Sequence, residues 1–224
     1  MNLLIFDMDG VLVDVTESYR ETIAATIEHF TGARPTNEQI QQFKNRGGFN
    51  DDWELTHYIV AGVGFDVSFE ETKAHFQNLF LGTNGREGLI QREKWIANPG
   101  TLEDLAADFR FAIFTGRPRE EAHLTLHRFA PDLTFEPIIA MEDVARKKPD
   151  PEGLLRIAHA LPDSKLIYVG DSVDDARSAR AAKIPFIGIA APSNPSYLDL
   201  VFLFHSENAI AIVDDINYLH EVFA

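Results

Sequence analysis

Cysteine is absent from the 224-residue chain. That absence excludes disulfides, thiolate metal sites and cysteine nucleophiles, and it fits a reducing, cytoplasmic setting. No apolar run approaches the roughly 18–20 residues needed to span a bilayer, and the opening residues show no signal-peptide pattern. Cations are scarce: 20 Lys and Arg stand against 35 Asp and Glu, a formal net charge of -15. A field of that sign repels nucleic acid and anionic membranes, so neither is expected as a partner. It also repels anionic small molecules, whose binding would require a divalent cation and a few placed lysines or arginines to reverse the local potential. Repeats and low-complexity stretches are missing too, and nothing in the pattern specifies an oligomeric state.

What is present is an alternation of two signals. Short apolar runs rich in Ile, Val and Phe read as strands at Leu3–Phe6, Phe111–Thr115, Pro137–Ala140, Leu166–Gly170, Phe186–Ile189 and Val201–Phe204. Most lack polar alternation, as strands buried on both faces of a parallel sheet do. Helical patterns separate them, around Leu102–Phe109, Asp150–Leu161 and Asp174–Ala182. The alternation predicts an α/β fold with a doubly wound, Rossmann-like parallel sheet. One interval departs from it. Between Val15 and Asn98 the apolar stripes are helical, with Tyr19, Ile23, Ile27 and Phe30 on one face and Phe69, Phe76, Leu79 and Phe80 forming another. Gly32 and Pro35 supply a stop, and Thr36/Gln39 and Ser68/Glu71 are capping-box pairs. The expectation is a small all-helical domain over residues 15–97, inserted after the first strand of a core formed by residues 1–14 and 98–224.

Several strand runs end in an acid or a small hydroxyl: Phe6 leads to Asp7, Phe114 to Thr115 and Gly170 to Asp171. In open parallel sheets ligands bind outside the carboxyl ends of the strands, so these three residues should face one crevice. Asp7 and Asp9 are two residues apart, and carboxylates that close repel each other unless a cation lies between them or one is protonated. Mg²⁺ takes carboxylate and carbonyl oxygens while keeping water and phosphate ligands. Gly10 allows the backbone to turn sharply beside such a ligand.

Together these segments resemble the haloacid dehalogenase-like superfamily of phosphohydrolases. Asp7-Met8-Asp9-Gly10-Val11 is similar to its first motif and Phe114-Thr115-Gly116-Arg117 to its second. Lys148-Pro149-Asp150-Pro151 is similar to its third, and Gly170-Asp171-Ser172-Val173-Asp174-Asp175 to its fourth. Any one is weak, but the ordered set of four is specific and spans nearly the whole chain. The resemblance implies Asp7 as a nucleophile forming an aspartyl-phosphate and Asp9 as general acid, then base. It implies Thr115, Gly116 and Lys148 on the phosphoryl oxygens, with Arg117 beside them as a phosphate contact or a helix anchor. Mg²⁺ would be held by Asp7 and Asp171 with the Asp9 carbonyl, and by Asp175 directly or through water; Asp174 is the rival of Asp175. The helical insertion is similar to the family's cap.

Asp9 bears on the reaction class, since members that dehalogenate carbon do not keep an acid two residues after the nucleophile. The reading is therefore hydrolysis of a small phosphorylated metabolite, with a phosphosugar mutase or a silent phosphate-binding regulator as alternatives. Within the insertion, Phe43–Trp53 concentrates cations, glycines, acids and an aromatic. Lys44 and Arg46 are candidates for a substrate phosphate or carboxylate, whereas Asp51 could equally cap a helix with Trp53 in a core. Phosphoglycolate-like acids, sugar phosphates and amino-alcohol phosphates such as histidinol phosphate all fit.

Overall fold

A computed structural model describes residues 2–83 and 85–223, and its residues sort into two units. One comprises Met1–Val13 and Trp95–Ala224, the other Asp14–Lys94.

The unit Asp14–Lys94 is built from helices α1 (Tyr19–Thr31), α2 (Asn37–Arg46), α3 (Asp52–Gly62) and α4 (Phe69–Phe80). A two-residue antiparallel ladder, Gly82–Thr83 with Arg86–Glu87, follows α4. The apolar stripe of α1 buries Ile23 and Ile27, while Tyr19 packs 4.1 Å, centroid to centroid, from Phe80 of α4. Gly32 ends α1 in the left-handed conformation with its N–H on the Glu28 carbonyl, a position where a side chain would be strained. Thr36 and Gln39 form a reciprocal capping box on α2. Asp51 accepts from the Trp53 and Glu54 amides at the start of α3.

The other unit holds one six-stranded parallel sheet. Its strands are β1 (Asn2–Phe6), β2 (Phe109–Phe114), β3 (Phe135–Ile139), β4 (Lys165–Gly170), β5 (Phe186–Ile189) and β6 (Ala211–Val213). Their spatial order is β6-β5-β4-β1-β2-β3. Leu3, Leu4, Ile5 and Phe6 are all essentially inaccessible, as expected of a central strand covered on both faces. The chain runs outward from β1 through β2 to β3, then returns to the other side of β1 for β4. The β1/β4 boundary is thus the topological switch point, where the strand ends leave a crevice. Helices α5 (Thr101–Leu105), α6 (Arg119–Phe129), α7 (Glu152–Ala160), α8 (Val173–Ala182), α9 (Tyr197–Ser206) and α10 (Leu219–Phe223) complete this unit. Within it, the Ile96 N–H donates to the Leu12 carbonyl at 2.9 Å.

One strand expectation is overturned. The run Val201–Phe204 lies in α9, and the sixth strand is Ala211–Val213. Leu200 and Phe204, the buried residues of α9, are four apart, the spacing of one helical face. A side chain at Gly188 of β5 would place its Cβ 2.3 Å from the Phe204 ring, so the glycine lets α9 pack closely on the sheet there.

Candidate active site

Asp7 follows the last residue of β1 and is held there by the sheet itself, its N–H donating to the Val169 carbonyl of β4 at 2.9 Å. Its carboxylate is buried, and Lys148 Nζ lies 3.0 Å from its Oδ1. The same ammonium is 2.7 Å from Asp175 Oδ1. Of the adjacent lysines, Lys148 is the one fully inside; Phe114 and Tyr168 rings stand 4.8 and 5.4 Å from its charge. Asp175 is the N3 residue of α8 and is saturated with donors. Its Oδ1 also accepts from the Tyr168 hydroxyl at 2.6 Å, and its Oδ2 from the Ser172 amide and hydroxyl at 3.0 and 2.6 Å.

Burial governs the electrostatics. It pushes the Asp7 carboxyl up to about 7, against the opposing pull of Lys148 and with help from Asp175 and Asp9. Burial also disfavours charge on Asp175, yet Lys148, Ser172 and Tyr168 outweigh it and hold that carboxyl below the ordinary aspartate value. Burial opposes the Lys148 ammonium as well, but Asp175 and Asp7 prevail and raise its pKa. The Tyr168 phenol is pushed well above its usual range by burial and then by the charge of Asp175. It therefore serves as a hydrogen-bond donor.

Asp171, after β4, joins Asp7 and Asp175 in a cluster whose ligand atoms lie within 4.8 Å of one another. Gly10 has φ 72°, and a Cβ there would fall 2.0 Å from Asp171 Oδ2, so the loop after β1 and the Asp171 carboxylate occupy neighbouring space. Gly10→Ala combines a positive-φ penalty with that collision. It is expected to destabilise the protein by about 1–3 kcal/mol, read as a lowered melting temperature; an unchanged melting curve would contradict the geometry.

The donor set fits a hard divalent cation. All its atoms are oxygens, the class that suits Mg²⁺ and not soft metals. Among Asp7, Asp9, Asp171, Asp175, Lys148 and Arg117 the formal charges leave two negative charges, the deficit one such ion matches. Both Asp175 oxygens already accept from protein donors, and its carboxylate also lies in the cluster with Asp7 and Asp171.

Thr115, after β2, is buried, its amide on the Ile139 carbonyl and its Oγ1 accepting from the Arg117 amide at 3.2 Å. The hydroxyl hydrogen is thereby directed elsewhere. Gly116 lies in the same bend. Of the two uses open to Arg117, phosphate contact or anchor of the following helix, its contacts are those of an anchor. Its side chain is 1% exposed, with Nε and Nη2 lying 2.6 and 2.5 Å from Asp9 Oδ1 and Nη1 donating to Thr125 Oγ1 at 2.9 Å. The guanidinium faces a carboxylate and a helix, away from solvent.

In the other unit, Lys44 is paired with Asp52 at 2.7 Å, and Arg46 lies over the Phe43 ring at 4.9 Å. Trp53 is buried under the Lys73 ammonium. These contacts, with the Asp51 cap, use the segment for its own packing. Sequence reasoning missed Tyr168 and Ser172. Their signals were a lone hydroxyl inside an apolar strand and a serine three residues before Asp175 at a helix start.

A doubly wound α/β core thus carries, at its switch point, a buried lysine bridging two carboxylates. Residues 1–183 match the family model described as haloacid dehalogenase-like hydrolase, and the chain belongs to that family. A Phytophthora nicotianae protein named imidazoleglycerol-phosphate dehydratase is 34% identical over 197 residues, 84% of this chain. The chain spans only 43% of that relative's length. A plasmid-encoded phosphoglycolate phosphatase of Cupriavidus necator is 28% identical over 219 residues, covering 92% of this chain and 90% of its own. A solved structure from Bacteroides fragilis, described as a haloacid dehalogenase-like hydrolase, superposes with a TM-score of 0.77 at 23% identity, over 97% of this chain and 99% of its own. That likeness speaks to the fold alone. Among the described residues no helix is long and apolar enough to cross a membrane.

Proposed function

We propose that the chain hydrolyses a small phosphomonoester in two steps at Asp7. In the first, an Asp7 carboxylate oxygen attacks phosphorus, the ester P–O bond breaks, and its electron pair leaves on the alkoxide. Asp9 gives that oxygen a proton, and the alcohol departs. In the second, Asp9 takes a proton from water as the water oxygen attacks phosphorus, releasing phosphate and restoring Asp7. Lys148 neutralises Asp7 and the phosphoryl oxygens, whose mutual repulsion would otherwise oppose attack. Thr115 and Gly116 donate to those oxygens. Asp7, Asp171 and Asp175, with the Asp9 carbonyl, would hold Mg²⁺, which would supply positive charge to the transferring group. The observation that carries this reading is the division of labour between the two acids: Asp7 sits in the lysine-bridged carboxylate cluster, whereas Asp9 is turned away to a cation of its own. That separation suits a nucleophile and a proton donor.

The substrate class has two supports. The Cupriavidus relative, aligned over nearly its whole length, favours a phosphorylated carboxylic acid. The Phytophthora relative is closer in sequence, and the name it carries points to imidazole-bearing phosphate esters, whose imidazolium, when protonated, would offset part of the repulsion between the acidic protein and the phosphate. Purified protein is expected to release phosphate from members of a panel that includes 2-phosphoglycolate, sugar phosphates and histidinol phosphate, and chelation is expected to abolish release. Transfer of phosphate between hydroxyls without net release would favour the mutase reading. No magnesium-dependent release from any member would leave only a binding role.

A further inference from the structure

Among the described residues Arg117 is the largest fully buried side chain, and burying a guanidinium is costly unless it is paired and hydrogen-bonded. Its partners state what it is for. Two of its nitrogens converge on a single oxygen, Asp9 Oδ1, while a third is tied to Thr125 Oγ1 on α6. The Asp9 side chain stays 27% exposed, whereas that of Arg117 is 1% exposed. A fixed cation thus reaches a partly open acid from behind.

The chemistry of the donors settles which oxygen can do what. A guanidinium carries only N–H donors and no acceptor. Oδ1 accepts the Nε–H and has Nη2 at 2.5 Å, so it turns a lone pair to the cation, and a protonated Asp9 carries its hydrogen on Oδ2. We propose that Arg117 is a positioning residue: it fixes the Asp9 carboxyl through Oδ1 and makes Oδ2 the oxygen that exchanges the proton. In the first step, the Oδ2–H bond breaks as the leaving oxygen takes the proton together with the electron pair of the broken P–O bond. Asp9 remains as a carboxylate, its Oδ1 contacts unchanged. Thr125 prevents the guanidinium from following the acid into the crevice. The inference rests on the reading of Asp9 as general acid, and it adds that Arg117 never touches the substrate.

A purely structural tie would slow all substrates alike, and leaving-group dependence separates the two roles. The probes are a series of ring-substituted phenyl phosphates, from dinitrophenyl to unsubstituted phenyl phosphate, whose phenol has a pKa near that of tyrosine, about 10. The readout is kcat/KM, which reports phosphoryl transfer to Asp7 and not the later hydrolysis. A positioned general acid is worth about 10²–10⁴-fold. Arg117→Met should therefore cost about 10²-fold on phenyl phosphate but only a few-fold on the dinitrophenyl ester, steepening the dependence on leaving-group pKa. Asp9→Asn sets the reference slope. Arg117→Lys, which keeps the charge but lacks the planar fork that reaches Asp9 and Thr125 together, should fall between.

Equal losses across the series, or none, would overturn the proposal. Should Arg117→Met fail to fold, Thr125→Val removes only the tether, and the same leaving-group-selective loss, smaller in size, is expected; a uniform loss there overturns the proposal equally. If Asp9→Asn itself leaves the slope unchanged, the failure lies in the general-acid reading, and the role given to Arg117 falls with it.

Discussion

Asp7→Asn is expected to lower kcat by about 10⁴-fold or more, the scale on which loss of a covalent nucleophile acts, while leaving the fold intact. The two halves of that expectation have one cause. Burial lifts the Asp7 carboxyl to about 7 from its ordinary 3.8, so the folded, metal-free protein resists the ionised form that attack requires. A folded-state pKa above the unfolded value means a contribution to stability fully present below about pH 4 and lost as pH rises through about 7. Asparagine fills the same space without titrating. The metal-free wild type should thus lose melting temperature between pH 5 and 8 relative to the variant. Mg²⁺ should raise the melting temperature of the wild type and do little for Asp7→Asn. A variant that keeps more than a hundredth of wild-type turnover would refute the nucleophile assignment. Equal pH dependence of melting in both proteins would refute the account of burial.

Lys148→Met carries the second large effect, and there function and stability fall together. The lysine is the shared partner of Asp7 and Asp175, at 3.0 and 2.7 Å. Removing one member of a buried ion pair typically costs 3–5 kcal/mol, because the remaining charge is left uncompensated. Asp175 would keep the Tyr168 and Ser172 donors but lose its counter-charge. Turnover should drop by about 10³-fold, the size of loss that follows removal of one transition-state charge partner. Chemical denaturation of a double-mutant cycle checks the mechanism: Lys148→Met with Asp175→Asn should cost less than the sum of the single changes, since the orphaned charge is gone. Strict additivity would mean that the lysine and Asp175 are not coupled.

How far the chain could be read in advance follows from where its information is local. Strands β1, β2, β4 and β5 are continuous apolar runs because both sheet faces are covered, and such runs announce themselves. Their carboxyl ends brought Asp7, Thr115 and Asp171 to one crevice, which topology alone required. The run Leu200–Phe204 is also continuous and apolar, but its burial follows a four-residue period that so short a stretch does not display. Strand β6 has three residues, Ala211–Val213, too few to carry a period. Side-chain direction is the other blind spot. Nothing in Thr115-Gly116-Arg117 tells whether the arginine faces a ligand or turns back on Asp9, because that choice depends on Thr125 eight residues later. Likewise Lys148 and Lys147 are indistinguishable by composition, and only the packing of Phe114 and Tyr168 around one of them separates the pair.

The Leu12–Ile96 hydrogen bond has a practical meaning for anyone who wishes to redesign this enzyme. It pins the two ends of the catalytic unit's interruption side by side, so the core does not depend on the length of what is threaded between them. Closing a longer or shorter loop at a fixed base changes the free energy only logarithmically, by about 0.6 kcal/mol per doubling. The stretch from Asp14 to Lys94 is therefore an exchangeable cassette. Grafting the corresponding segment of another family member at Val13 and Trp95 would test whether selectivity resides in that unit.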